Sequence, residues 1–574
     1  MSLNSQNYKL PEDLGKAVEA TLRDWLADGK VEKLWAKDAE VWTNEDEAKW
    51  LGWLDIVERQ LAERQKFADF QAEVKAENFS HILLLGMGGS SLCPEVLSFT
   101  FGVQNGFPKL HILDSTDPAQ IRQVESKIDL ANTLFFVSSK SGSTLEPNIF
   151  QQYFFERVSQ IIGADKAGSR FVAVTDPNSK MQSVAEEKNF RKIFYGDPGI
   201  GGRYSALSDF GMIPLAAMGI DVSDFLTRAN EMAAACKQNT SENPGLVLGA
   251  ILGTAWRDFG RDKVTIITSP AISDLGAWLE QLIAESTGKE GKSLIPVDRE
   301  EIQSPEKYGD DRVFAYLKIA GDDETDAAVE KLEKAGQPVL RVVLPDVLNL
   351  GQEFFRWEIG TAIAGAIMQI NPFDQPDVEA SKMVTKKLTS EYEETGSLPD
   401  EQPLFEADGI KLFTDDPNAA ELNKAVGDEK TLGNYINAHL DRIEKDDYFG
   451  LLAYVEMNDE HQDSLQAIRH SILGKYSVAT CLGFGPRFLH STGQGYKGGA
   501  NNGVFLQITA DDREDLAVPN QKYTFGVVKA AQARGDFAVL AERKRRALRV
   551  HLGADVRKGL AKIGEIIKLN ELTK

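Results

Sequence analysis

Gln281 and Glu285 stand four residues apart in the run QLIAESTGK and therefore share one face of a helix. Trp278, Leu279, Leu282 and Ile283 make that helix largely apolar, so the Glu285 carboxylate is expected to be partly desolvated and suited to act as a general base. A fixed positive charge is offered by the run GIGGRYSALS, where Gly199, Gly201 and Gly202 free the backbone around Arg203. A guanidinium in such a loop can stabilise a developing oxyanion. Taken singly, an exposed helix-end glutamate and a surface salt bridge are the better explanations of these two residues.

An anion cradle is written into TLFFVSSKSGSTLEP, where Ser138, Ser139, Ser141, Ser143 and Thr144 cluster around Lys140 and Gly142. An apolar strand running into this hydroxyl-rich turn and then a helix aims backbone N–H groups, hydroxyls and a helix N-terminus at one point, which suits a phosphate monoester. A Ser-rich loop with a good N-cap is the plain alternative. A second wall is expected from Gly86-Met87-Gly88-Gly89-Ser90-Ser91, in which Gly89 permits close approach and Ser90 adds a hydroxyl. As a dinucleotide fingerprint this loop fails, because Ser91 occupies the position of the third glycine, although Asp114 lies near the distance of a ribose-binding acid. In INPFDQPDVEASK, Gln375 and Lys382 are two helical turns apart and can face one pocket if a helix starts near Pro376. His490, in RFLHSTGQ, follows an expected strand and precedes a glycine-rich turn, a setting that strengthens a functional reading beside the structural one usual for a lone histidine.

These residues need strands and helices to hold them. Apolar runs at Ile82–Leu85, Leu110–Leu113, Leu134–Val137, Phe171–Val174 and Lys192–Tyr195 alternate with helical stretches, which predicts a parallel sheet with ligands at the strands' carboxyl ends. A second set at Val264–Ile267, Ser293–Val297, Val313–Ile319 and Pro338–Leu344 predicts another such sheet. The expected organisation is an N-terminal helical segment over 1–76, α/β domains over 77–240 and 241–390, and a C-terminal extension over 391–574. Residues 391–430 hold twelve Asp or Glu against three Lys, with Pro399, Pro403 and Pro417, and are expected to form a solvated surface insertion. Order is expected to return with strands at Leu451–Val455, Ser477–Cys481 and Val504–Ile508, and the basic cluster Arg543 to Arg546 is expected to be paired internally.

The 574 residues exceed what one core serves, and 42% hydrophobic with 26% charged residues is ordinary globular composition. A net charge of −23 disfavours nucleic acid and anionic membranes as partners, so an anionic ligand must be held by local donors. Cys93, Cys236 and Cys481 have no paired spacing, and no signal-like or membrane-length apolar run is evident, so a cytoplasmic, zinc-free protein is expected.

Together the motifs resemble phosphoglucose isomerase, the glycolytic and gluconeogenic aldose–ketose isomerase built from two sugar-isomerase (SIS) domains. Gly86–Leu92 is similar to its first phosphate loop and Ser139–Thr144 to its second; Gly201-Gly202-Arg203-Tyr204-Ser205 matches GGRYS, Glu285 to Lys289 matches ES-G-K, and Asn371 to Lys382 is similar to NSFDQ-GVE--K with Pro376-Asp377 substituted. The resemblance implies an α/β fold of two SIS domains, each a parallel sheet sandwiched by helices, plus the C-terminal α/β extension. It implies that glucose 6-phosphate and fructose 6-phosphate interconvert through a cis-enediol without metal or cofactor. Gly89, Ser90, Ser139, Lys140, Ser141, Thr144, Gly202, Gln281 and Gln375 would hold the substrate. Glu285 would be the base, Arg203 would stabilise the enediolate and Lys382 would assist at the ring oxygen. The family's ring-opening histidine lies between ES-G-K and FDQ, yet Glu285 to Asn371 contains none here, and His490 is expected to replace it. The tail beyond Lys382 resembles the isomerase part of bacterial transaldolase/phosphoglucose isomerase fusions, and the expected assembly is a homodimer, or fusion to or association with a transaldolase. A non-catalytic sugar-phosphate regulator, or an isomerase of another phosphosugar such as mannose 6-phosphate, would share many of these residues.

Overall fold

The computed structural model describes residues 3–571 and divides into two compact units. The first comprises residues up to 114, 124–287 and 312–374; the second comprises 115–123, 288–311 and 375 onward. These divisions do not coincide with 76, 240 and 390, because contacts group segments that are distant in sequence.

The first unit opens on an unforeseen strand, β1 (Ser5–Lys9), where helices alone were expected. Its sequence SQNYK carries no apolar signal, since as an edge strand it pairs on one side only. Helices Glu12–Ala27, Lys30–Trp35, Ile56–Ala62 and Gln65–Glu77 follow. Next come β2 (His81–Leu85), β3 (Lys109–Leu113), β4 (Thr133–Ser138), β5 (Phe171–Thr175) and β6 (Lys192–Tyr195), all parallel, in the order β3-β2-β4-β5-β6. Every residue of β4 and β5 is buried, as a sheet covered on both faces requires. Strand order reverses between β2 and β4, so the loops that follow them open on the crevice where such sheets bind ligands.

The chain continues through β7 (Lys263–Thr268), β8 (Ile295–Val297), β9 (Arg312–Ile319) and β10 (Val339–Leu344). Strands β7, β9 and β10 are parallel neighbours in the order β10-β9-β7, with β1 antiparallel outside β10, whereas β8 falls in the second unit. Helices Pro244–Phe259 and Leu350–Ile367 pack unusually closely in this unit. Gly245, Gly249 and Gly253 form a groove that takes Ile359, Ile363 and Ile367, two rows each repeating every four residues. A Cβ at Gly249 would stand 2.5 Å from the Cβ of Ile363. Beside them, Trp278 meets Phe354 edge-on at 4.8 Å and fixes the helix Leu275–Thr287.

In the second unit, β11 (Phe405–Ala407), β12 (Ile410–Phe413), β13 (Tyr448–Tyr454), β14 (Ala479–Phe484), β15 (Gly503–Ala510) and β16 (Arg546–Leu552) form one sheet in the order β11-β12-β16-β15-β13-β14. The four strands from β13 to β16 are parallel. The acidic stretch is more ordered than a solvated insertion. Asp408 and Gly409 both adopt positive φ in the β11–β12 hairpin, and Ile410, Leu412 and Leu422 enter the unit's core. Its charges lie on the faces these apolar residues leave outside.

Candidate active site

In the first unit the sequence's two expected walls emerge side by side. Leu85 of β2 pairs with Val137 of β4, so the loops beginning at Gly86 and Ser138 leave adjacent strand ends. Ser138 and Ser139 are buried, and their hydroxyl oxygens contact no hydrogen-bonding partner among the described residues. Buried hydroxyls are rarely left so unless a water, an ion or a ligand completes them. Ser141 Oγ lies 2.7 Å from Ser143 Oγ and accepts the Ser143 N–H at 3.2 Å, which ties the turn together. Thr144 precedes the helix Leu145–Ile162 at its N-cap position without spending its hydroxyl on the cap. The Lys140 ammonium is paired with Asp176 and also donates to the Asp197 carbonyl at 3.2 Å. Lys140 therefore anchors the loop to the end of β5, its charge already matched by Asp176. Burial raises the Asp176 carboxyl above its ordinary range, with Lys140 opposing.

The glycine loop meets GGRYS directly. A Cβ at Gly89 would lie 1.9 Å from the Gly202 carbonyl oxygen, so no other residue fits there without moving the backbone. Ser205 Oγ donates to the Gly202 carbonyl at 2.6 Å and bends the segment so that Arg203 points inward. Tyr204 is stacked on Trp53 with ring centroids 5.0 Å apart, and its burial pushes the phenol well above its usual range. Ser90 is half-buried at the mouth of the same loop. Asp114 accepts the Ser91 hydroxyl at 3.2 Å, a role internal to the loop and unlike that of a ribose acid.

Arg203 is buried, with Nε donating to Ser286 Oγ at 2.9 Å and Nη2 donating to the carbonyls of Pro372 and Asp374 at 2.8 and 2.9 Å. Its Nη1 stands 3.6 Å from Glu285 Oε1. Gln281 Nε2 donates to the other carboxylate oxygen at 3.0 Å, one helical turn back, and Gln281 Oε1 is buried without a described partner. The structure thus joins Glu285, Gln281, Arg203 and Gly202 in one cluster, with Gly89 against Gly202. A carboxylate held near a rigid cation but not in close hydrogen bond with it keeps an oxygen available to take a proton, and the cation can stabilise the resulting oxyanion.

Gln375, Lys382 and His490 belong to the second unit. The helix does start at Pro376, with Gln375 in the preceding position, but Lys382 Nζ projects to an exposed pairing with Glu379 at 2.7 Å. His490 ends the short turn Arg487–His490 and is half-buried. Four useful residues escaped the sequence reading. Asp176 could have been sought at the end of the strand beside β4, and Ser286 follows Glu285 directly; Trp53 carried no local sign of its contact with Tyr204. Gln494 accepts the N–H groups of Asp377 and Val378 at 3.0 Å each, capping the Pro376 helix from a distant turn. No group of three or more His, Cys, Asp or Glu side chains among the described residues is arranged to hold a metal ion.

A switch-point crevice lined by serines, beside a glutamate and a buried arginine, defines an α/β protein of the sugar-isomerase type. Residues 56–304 match the family model of phosphoglucose isomerase. The glucose-6-phosphate isomerase of Rubrobacter xylanophilus is 28% identical over 358 residues, covering 54% of this chain and 83% of that protein. The glucose-6-phosphate isomerase of Thermus thermophilus is 29% identical over 388 residues, covering 59% and 89%. Among solved structures, hypothetical protein TT0462 from Thermus thermophilus superposes with a TM-score of 0.58 at 25% identity, covering 66% of this chain and 99% of that one. A glucose-6-phosphate isomerase from Chlamydia trachomatis shares the fold with a TM-score of 0.51 at 23% identity, covering 57% and 73%.

Proposed function

We propose that this protein interconverts glucose 6-phosphate and fructose 6-phosphate, with Glu285 moving a proton between C1 and C2 of the open-chain sugar. The observation that carries this reading is the Glu285 carboxylate 3.6 Å from the buried Arg203 guanidinium and steadied by Gln281. Glu285 removes the proton from the carbon beside the carbonyl, the carbonyl oxygen takes up the electron pair as an enediolate, and Arg203 balances that charge. The hydroxyl proton passes from the C2 oxygen to the C1 oxygen of the enediolate, and return of the Glu285 proton to C1 as the C2 carbonyl forms completes the exchange. The hydroxyls of Ser90, Ser139, Ser141 and Thr144, with Gln375, hold the phosphate. No step in this scheme requires a metal.

Lys382 assisting at the ring oxygen and His490 opening the ring complete the reading. The His490→Ala protein is expected to lose turnover of cyclic glucose 6-phosphate while still exchanging the C2 proton of open-chain substrate; persistence of both activities makes His490 structural. The tail beyond Lys382 is read as the isomerase part of a transaldolase fusion type, acting in the cytoplasm as a homodimer or beside a transaldolase. No helix among the described residues is long and apolar enough to cross a membrane. The direct test is a coupled assay on fructose 6-phosphate with and without chelator: activity should be present and unchanged by the chelator. Absent or chelator-sensitive activity contradicts the scheme.

A further inference from the structure

The second unit carries a cavity of about 360 Å³ that the isomerase chemistry does not use. It lies at the carboxyl ends of β13, β15 and β16, lined by Tyr454, Thr509, Lys529, Arg534, Arg549 and His551 among others. Open parallel sheets bind ligands at this edge. Two guanidinium groups dominate it. Arg549 is 4% exposed and lies over the Phe413 ring at 4.4 Å, so its position is fixed; Arg534 reaches in from the helix Phe525–Glu542.

Arg549 Nη2 and Arg534 Nε both stand 2.8 Å from a single oxygen, Oε2 of Glu401. Glu401 sits in the irregular segment 398–403, and its side chain is 34% exposed. Elsewhere in the lining, Lys529 pairs with Asp117 at 2.9 Å and Asp512 at 2.5 Å, and His551 Nε2 lies 3.1 Å from Asp511. At the fork itself, one carboxylate serves two arginines. A dianion would balance both, and converging guanidiniums on one oxygen are the geometry of phosphoryl recognition.

We propose that this cavity is a second ligand site for a small phosphate monoester, gripped by Arg534 and Arg549 after Glu401 swings out of the fork. Glu401 acts as an internal competitor, so the intact chain binds more weakly than the site itself allows. Its removal exposes the intrinsic affinity.

The test is isothermal titration of glycerol 3-phosphate into the full chain and its Glu401→Ala variant. Glu401→Ala should bind one equivalent more tightly than the parent, by about tenfold or more. Arg549→Met or Arg534→Met in the Glu401→Ala background should abolish that equivalent. The Arg534 variant serves if the Arg549 variant fails to fold by circular dichroism, since Arg534 is 28% exposed. Identical titrations of parent and Glu401→Ala overturn the proposal. Acetate binding as tightly as the phosphate ester overturns the assigned ligand class.

Discussion

Ser139 illustrates how a residue whose hydroxyl has no described partner can be more informative than one with many. Its hydroxyl is buried at the end of β4 without a described partner, while its backbone N–H donates to Val174 at 3.0 Å and its carbonyl accepts Thr175 Oγ1 at 2.6 Å. The backbone is thus fixed while the hydroxyl stays open to a ligand or a water. Replacing Ser139 by Ala should raise KM for fructose 6-phosphate about five- to tenfold, the worth of roughly 1–1.5 kcal/mol for one hydrogen bond, with kcat little changed. Initial-rate assays separate the two constants. Arg203 and Glu285 were named from sequence, but the means of holding Arg203 was not: two carbonyls after Ile370 lie more than 160 residues away in the chain, and no local pattern announces such a contact.

At the scale of elements, fully buried strands were plain in the sequence because a doubly covered sheet demands unbroken apolar runs, as in ILLL of β2 and LFFV of β4. The polar edge strand β1 was not, because its partner β10 supplies what its own residues lack. The hairpin at Asp408-Gly409 had the right turn residues, yet its acidic surroundings masked the alternation of Ile410 and Leu412. The glycine-lined contact of Pro244–Phe259 with Leu350–Ile367 sets the spacing on which the Glu285 helix rests. Gly249→Ala should therefore destabilise the protein by about 1–3 kcal/mol, since neither the Ile363 side chain nor the backbone behind it can retreat freely. Denaturant unfolding would register the loss, and an unchanged midpoint would show that the helices can separate without cost.

Across the whole molecule, burial of titratable groups couples stability to pH. His439 is fully buried in the second unit, its Nε2 is 2.9 Å from the Phe505 carbonyl, and desolvation lowers it from 6.5 to about 3. As pH falls below 6.5 the unfolded chain takes up a proton that the folded chain refuses until about 3. The contribution of His439 is therefore complete above 6.5 and lost progressively down to about 3. His439→Gln should flatten the fall in unfolding midpoint between neutral and acid pH relative to the parent, by up to about 1.4 kcal/mol per pH unit. Parallel pH profiles would exclude that role. The central claim concerns one carboxylate and is tested by transfer of hydrogen. In deuterium oxide, the parent protein should place deuterium on C1 of fructose 6-phosphate formed from glucose 6-phosphate, and Glu285→Gln should lower that exchange by about a thousandfold or more while leaving the unfolding midpoint in place. Exchange within about tenfold of the parent would contradict the assignment of Glu285 as the base.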